Sequence, residues 1–456
     1  MKNIKNICCI GAGYVGGPSM AVFADHCPEI TFNVVDLSIE KINLWNGDFN
    51  KLPVYEPGLK QIIKRVRDKN LFFSNNIDKS INDAELIFIS VNTPPIIDKK
   101  GDHKGTNLDY LISCVENIAK IAKTDKIIVE KSTVPVRTAA LIQEILATNN
   151  KKCKFTVLSN PEFLAEGTAV YNLENPDRVL IGSENTTQDK EALEALIKIY
   201  KNWIPEEKLI TTNLWSSELS KLASNAMLAQ RVSSINSFSA LCDKTGADII
   251  EVSQAIGLDH RIGSRFLNPS VGFGGSCFQK DLLNLVYLCQ HYGLDEAAEY
   301  WLQVLKINDY QKSRLINKAI QYLDGSLENK DITLYGWSFK KNTNDSRESA
   351  SIKIAYEFLL KKAKLKIYDP QSSNEIVSRD LLKISKNNRK ILDNVTFIND
   401  PYLAADKSNC ICILTEWEEF KELDWNIIID KMINQKVIID GRYILKDILY
   451  DRAIYL

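Results

Sequence analysis

Ile7-Cys8-Cys9-Ile10-Gly11-Ala12-Gly13-Tyr14-Val15-Gly16 is the stretch on which the reading of this chain turns. An apolar run from Ile4 to Ile10 leads into it, and a helical pattern follows from about Pro18 to Asp25. Thr31 to Val35 then reads as a second strand that ends in Asp36. Strand, glycine loop, helix, strand and acid, at this spacing, form a dinucleotide-binding fingerprint. The first glycine makes the turn, the second admits a pyrophosphate, and the third lets helix and strand pack closely. The pyrophosphate then rests on the helix N-terminus. Asp36 is placed to accept ribose hydroxyls and to repel a 2′-phosphate, which favours NAD over NADP. Without its flanking elements the glycine pattern would carry little weight.

Beyond Asp36, strands at Leu71 to Ser74, Leu86 to Val91, Ile127 to Glu130, Phe155 to Leu158 and Val179 to Gly182 alternate with helices. Such alternation predicts a doubly wound, mostly parallel sheet, with ligands beyond the carboxyl ends of its strands. Polar turns at Val91 to Pro94, Glu130 to Pro135 and Ser159 to Gly167 fall at those ends. Each alone reads equally well as ordinary turn chemistry; three on one rim favour a site.

From Asn213 the pattern becomes helical: Trp215 to Thr245, Asp248 to Ile256, Cys277 to Tyr292 and Glu296 to Leu323. Glu218, Lys221 and Asn225 lie on the first of these. The last two share a face, either solvated or turned into a cleft. A second α/β unit begins near Leu327, with strands at Asp331 to Tyr335, Leu365 to Tyr368, Cys410 to Leu414 and Val437 to Ile439. It lacks the glycine fingerprint. Phe339, Lys340 and Arg442 at its strand ends suit an aromatic base and phosphates, although surface charge at a rim is the competing reading. The expected fold is α/β, with two Rossmann-like doubly wound parallel-sheet domains (1–213 and 327–456) joined by a long central helix and helical region (214–326).

Val271 to Asp281 brings in chemistry of a different kind. Gly272, Gly274 and Gly275 read as a hinge that delivers Cys277 to the first turn of a helix, where aligned N–H groups favour the thiolate. Asp281 lies one turn further along. Cys277 is therefore a candidate nucleophile; a buried cysteine behind a tight turn is the alternative.

The chain has 456 residues, 45% hydrophobic and 25% charged, with net charge -1. That balance argues against nucleic-acid or anionic-membrane partners. Ten cysteines without recurrent Cys-x-x-Cys pairs and four scattered histidines predict no metal site. The strand starting by Lys5 and the absence of a spanning apolar run lead to an expectation of a cytoplasmic protein with free thiols.

Together these motifs resemble the nucleotide-sugar dehydrogenase family, the UDP-glucose/GDP-mannose dehydrogenases, and its animal-type UDP-glucose-oxidising members more than the shorter bacterial forms. The resemblance is carried by Cys8 to Gly17, Leu52-Pro53-Val54-Tyr55-Glu56-Pro57-Gly58-Leu59, Glu130 to Arg137, Ser159 to Gly167 and Asn175 to Arg178. It continues through Trp215 to Leu222, Arg261-Ile262-Gly263, Gly272 to Asp281, Phe339 to Glu348 and Asp440-Gly441-Arg442.

The resemblance implies a four-electron, NAD-dependent oxidation of UDP-glucose to UDP-glucuronate. Two NAD are reduced, and the intermediate stays on Cys277 as thiohemiacetal and then thioester. It implies that Lys221 and Asn225 stabilise the oxyanion, that Glu162 assists thioester hydrolysis, and that Thr133 and Asp281 hold a water. It places substrate on Glu162, Phe163, Leu164, Ala165 and Glu166, and on Lys221, Asn225 and Arg261. Phe266, Leu267, Asn268, Pro269, Ser270 and Gly274 would continue that surface, with Phe339, Lys340 and Arg442 on the nucleotide. NAD would lie on Gly11, Ala12, Gly13, Tyr14, Val15 and Gly16, with Asp36 and Lys41 at its adenosine end. Val91, Asn92, Thr93, Pro94 and Pro95, then Ser132, Thr133, Val134 and Glu166, would line it further. Cys277, Phe278, Gln279, Lys280 and Arg347 complete that set. The resemblance also implies a homodimer assembling to a homohexamer, with Arg261 reaching the neighbouring subunit's site.

Two departures stand out: Lys41 where relatives often carry Arg, and Trp337-Ser338 where a smaller or less polar pair is expected. GDP-mannose or a UDP-N-acetylhexosamine is the rival substrate, and a non-catalytic nucleotide-sugar sensor is the rival class.

Overall fold

Runs of Ile, Val, Leu and Cys that must bury both faces form parallel strands under helices, and the chain does this twice. The computed structural model describes residues 4–98, 103–184, 186–449 and 452–456. These group into two units, Met1–Ser224 and Asn225–Leu456.

The strands of the first unit are β1 (Asn6–Ile10), β2 (Thr31–Val35), β3 (Leu71–Ser74), β4 (Leu86–Ile89), β5 (Pro95–Ile97), β6 (His103–Thr106), β7 (Lys126–Glu130), β8 (Phe155–Ser159), β9 (Val179–Gly182) and β10 (Leu209–Thr212). Eight form one sheet in the order β10-β9-β8-β7-β4-β1-β2-β3, and β5 pairs with β6 as a separate hairpin. Within the eight-stranded sheet pairing is parallel except between β8 and β9. Strand order reverses between β1 and β4, so the crevice of a doubly wound sheet opens there. The helix Gly16–His26 covers one face and buries Phe23, which meets Phe32, Phe88, Tyr200 and Trp203 edge-on.

The chain leaves this unit inside the 32-residue helix Leu214–Thr245. In the second unit the helices Ile249–Gly257, Phe278–His291 and Asp295–Tyr322 precede a second sheet. Its strands are β11 (Asp331–Tyr335), β12 (Lys364–Tyr368), β13 (Val395–Phe397), β14 (Cys410–Ile413), β15 (Val437–Asp440) and β16 (Ile454–Tyr455). They lie in the order β13-β12-β11-β14-β15-β16, all parallel. Among the described residues no helix is long and apolar enough to cross a membrane.

The unusual Trp337 is fully buried in this second core, and its indole N–H reaches Asp380 Oδ2 at 3.0 Å. Its backbone N–H and that of Ser338 both donate to Asp369 Oδ2, at 2.6 and 2.9 Å. Asp369 ends β12 as Asp36 follows β2. It also accepts Trp417 Nε1 and the N–H groups of Gln371 and Ser372. The second unit thus uses its strand-end acid to fasten its own loops.

At the end of β15, Asp440 accepts the N–H groups of Arg442 (2.9 Å) and Leu445 (2.7 Å). Burial still pushes its carboxyl up to about 6. The folded pKa lies above the unfolded one, so this group's contribution is greatest below the ordinary carboxylate range and is lost as pH rises through about 6. Between pH 5 and 7.5 it should lower stability by about 1 kcal/mol. Urea midpoints across that range check this: the pH slope should shrink in Asp440→Asn.

Candidate active site

The glycine loop sits at the crevice. Gly11 has φ +110°, and a Cβ there would lie 2.1 Å from the Ser90 carbonyl oxygen after β4. Only glycine permits this turn. A Cβ on Gly13 would meet nothing within 4 Å, so the loop leaves an open side at the start of the Gly16–His26 helix, as a pyrophosphate requires. Gly16 is buried, with Tyr14 and Val15 half-buried between. Asp36 accepts Ala12 N–H (2.9 Å) and Ser38 N–H (2.9 Å), and pairs with Lys41 Nζ at 2.8 Å. Burial would raise the Asp36 carboxyl, but Lys41 and these N–H groups outweigh it and hold it below its usual range. These residues fit NAD: a cradle with room for phosphates, and an ionised acid at the second strand's end.

The neighbouring rim turns are tied together. Thr93 Oγ1 donates to the Thr133 carbonyl (2.7 Å) and Ser132 Oγ to the Val91 carbonyl (2.8 Å). Val91 to Pro95 and Ser132 to Val134 therefore form one lining. Asn92 and Pro95 are exposed, and Thr93 and Val134 are buried.

Beside them lies a buried ion pair. Lys221 Nζ is 3.0 Å from Glu162 Oε1, with side chains only 4% and 6% exposed. Leu164 N–H donates to Glu162 Oε2 at 2.6 Å. Burial alone would raise the Glu162 carboxyl; the Lys221 ammonium, the Leu164 N–H and Lys131 overcome it and hold it low. Lys131 is itself buried, which brings its ammonium down to about 8. It donates to Asn160 Oδ1 at 3.1 Å. Phe163 supports the pair from below, its ring centroid 5.6 Å from Lys221 Nζ and 3.8 Å from the Arg178 guanidinium. Ala165 is exposed and Glu166 half-buried in the same loop.

Sequence reasoning named Glu218 without a task. Its carboxylate accepts the N–H groups of Arg137 and Ala139, both at 2.7 Å, fixing the start of the helix Thr138–Asn149. The fully buried Glu130 lies beside it. Burial and that neighbouring charge push the Glu130 carboxyl well up, so Glu130 carries the proton of the pair.

In the second unit Cys277 is the N-cap of the helix Phe278–His291, with Sγ 3.5 Å from Ser276 Oγ. Phe278, Gln279 and Lys280 form the first turn, all half-buried. Asp281 is buried, its backbone N–H bonded to the Cys277 carbonyl at 2.8 Å. Its Oδ2 accepts Asn225 Nδ2 at 2.6 Å. Both Lys221 and Asn225 are thus buried, and neither lies on a solvated face.

The glycine segment before Cys277 is a strap held at many points rather than an open hinge. Asn308 brackets Phe273, accepting its N–H at 2.8 Å and donating to its carbonyl at 3.1 Å. Ser270 is held through its N–H by Asn236 (2.9 Å) and through its carbonyl by Gln311 (2.8 Å). A Cβ on Gly275 would stand 2.9 Å from the Phe339 ring, and one on Gly274 would stand 2.5 Å from the Glu348 carbonyl oxygen. The strap is therefore packed against the residue expected to carry the base. Arg442 lies at the same rim, donating to the Phe339 carbonyl (2.9 Å) and the Leu414 carbonyl (2.7 Å). Lys340 Nζ is 5.5 Å from the Phe339 ring centroid.

Of the other named residues, Leu267 and Pro269 are buried and Asn268 is exposed. Phe266 is exposed with φ +63°, its ring 6.4 Å from that of Phe278. Arg261 is exposed and forked onto Asp259, at 3.0 and 2.6 Å. Arg347 is forked onto Asp345, at 2.9 and 2.7 Å.

A dinucleotide crevice on one sheet and a cysteine at a helix start beside a second sheet's rim define an NAD-dependent oxidoreductase. Residues 5–204 match the NAD binding domain of the UDP-glucose/GDP-mannose dehydrogenase family, residues 215–310 its central domain, and residues 333–447 its UDP binding domain. The chain belongs to that family. It is 52% identical over 449 residues to UDP-glucose 6-dehydrogenase 4 of Arabidopsis thaliana, covering 96% of this chain and 93% of that one. It is 51% identical to UDP-glucose 6-dehydrogenase 1 of Glycine max, with the same coverage. Among solved structures, a UDP-glucose dehydrogenase from the archaeon Pyrobaculum islandicum superposes with TM-score 0.83 at 29% identity, covering 99% of this chain and 97% of that one.

Proposed function

We propose that the protein oxidises UDP-glucose to UDP-glucuronate in two successive two-electron steps, with Cys277 holding the sugar between them. The observation that carries this reading is Cys277 at a helix N-cap, one turn from a buried Asn225–Asp281 pair. It occurs in a chain half identical to enzymes named for UDP-glucose.

NAD, held on Gly11 to Gly16 and Asp36, supplies a hydride acceptor once for each oxidation. The first oxidation turns the C6 alcohol into an aldehyde, whose carbonyl form is a poor hydride donor. Cys277 Sγ adds to that carbon and makes it tetrahedral, so that the C–H it has kept can leave with its electron pair as the C=O re-forms. Lys221 Nζ and Asn225 Nδ2 donate to the oxygen as charge builds on it. Loss of the second hydride leaves a thioester on Sγ. Water, held by Thr133 and Asp281, adds to its carbonyl with Glu162 accepting the proton. Collapse of the adduct breaks the C–S bond, freeing the thiolate and the carboxylic acid, which then ionises to the carboxylate. In this scheme 1–213 carries NAD with Thr133 and Glu162, 214–326 carries Lys221, Asn225, Cys277 and Asp281, and 327–456 carries the UDP, on Phe339, Lys340 and Arg442. Glu162 to Glu166 and Phe266 to Ser270 shape the sugar pocket. We further propose a cytoplasmic homodimer that assembles to a homohexamer, Arg261 completing the neighbour's site.

Offering NAD with UDP-glucose, GDP-mannose or UDP-N-acetylglucosamine tests the reading. Turnover should be confined to UDP-glucose. Preference for another sugar would reassign the substrate, and no turnover on any would favour a sensor.

A further inference from the structure

The motif Leu52-Pro53-Val54-Tyr55-Glu56-Pro57-Gly58-Leu59 has no task in the scheme above, yet its acid is buried. Glu56 Oε1 accepts the N–H of Gly167 at 2.8 Å and Oε2 the N–H of Ala169 at 3.0 Å. The two donors flank the end of the loop that begins at Glu162 and the start of the helix Ala169–Glu174. Pro57 and Gly58 turn the motif back at once; Gly58 has φ +86°, and a Cβ there would lie 3.4 Å from Val170 Cγ1. The acid and its backing thus grip one end of the loop. Its other end is held where Asn160 N–H meets the Glu130 carbonyl at 2.8 Å. Between these two anchors the loop carries Glu162, which reaches Lys221 at 3.0 Å.

We propose that Glu56 is a positioning residue for the second half of the reaction: by gripping Gly167 and Ala169 it sets the loop so that the Glu162 carboxylate faces the hydrolytic water. A carboxylate suits this grip because each oxygen accepts one N–H; an amide has one acceptor and would set its own NH₂ against the other donor. A shift of the loop by about 1 Å misplaces a base by enough to cost on the order of 10²-fold. The first hydride transfer and the addition of Cys277 do not draw on Glu162 as base, so they should be spared. The inference rests on the proposed function, in which Glu162 acts at the thioester.

The test is rapid-mix NADH formation from UDP-glucose by the wild-type full chain and by Glu56→Gln, with intact-mass analysis of quenched enzyme. In Glu56→Gln the steady-state rate should fall on the order of 10²-fold. A fast initial burst of NADH should persist, and a sugar adduct should accumulate on Cys277. Glu56→Asp, which keeps the charge but shortens the reach, should fall between the two and serves if Glu56→Gln does not fold. Equal loss of burst and steady state would overturn the proposal, as would unchanged turnover or failure of both variants to fold. A wild-type enzyme that forms no adduct and no second NADH would instead overturn the covalent reading itself.

Discussion

Replacing Cys277 by alanine is expected to end UDP-glucuronate formation while leaving NAD binding largely intact. The cysteine is the N-cap of a 14-residue helix, where the helix end favours negative charge on a ligand or side chain. The strap before it is fixed through Asn308, Asn236 and Gln311, so alanine at 277 should remove the sulfur without releasing the segment. Most of the other cysteines cannot stand in. Cys8, Cys9, Cys27, Cys242, Cys410 and Cys412 are buried, and burial pushes the thiols of Cys9 and Cys114 up to about 12. Without a nucleophile the aldehyde has no route to a second hydride loss. Product analysis after complete consumption of NAD checks this: aldehyde at most, no uronate. Unchanged uronate in the alanine variant would remove Cys277 from the mechanism.

Lys221→Met should have the next largest effect, and should act twice. The ammonium is the charged donor proposed for the oxyanion, and losing such a donor lowers kcat by about 10²–10³. It is also the partner of Glu162, and both side chains are almost wholly buried. Removing one member of a buried pair costs about 3–5 kcal/mol, because the other charge is left behind. Here Lys131 and the Leu164 N–H still face Glu162, so the loss should fall at the lower end. The double variant Glu162→Gln/Lys221→Met should recover stability without recovering turnover. Urea unfolding and steady-state NADH formation, measured on all three variants, separate the two roles. Recovery of activity in the double variant would contradict the proposed donor.

Much of this was readable in the sequence. Both sheets follow from buried Ile, Val and Cys runs separated by helical spacing, and the fingerprint around Gly11 located the crevice because its conformational demands are local. Cys277 was legible for the same reason: glycines and a helix start lie within a few residues of it. The strands β10, β13 and β16 and the β5–β6 hairpin were missed. They span two to four residues each, too few for alternation to register, and β5 begins at Pro95. What supports the site was not legible at all. Glu56 holds residues 111 and 113 positions away, Glu218 holds residues 81 and 79 away, and Asn308 grips a segment 35 positions earlier. Periodicity carries no information about partners at that range. Lys41 and Trp337 stood out as departures in the sequence, but only the structure shows their partners, Asp36 and Asp380.

The central claim is that one thiol holds the sugar through two oxidations. It is tested most directly by counting NADH formed per UDP-glucose consumed, in an assay that also traps free aldehyde. The mechanism predicts about two NADH per sugar, as a covalently retained intermediate requires, and no trapped aldehyde. A ratio near one, with aldehyde released in step with NADH, would contradict it.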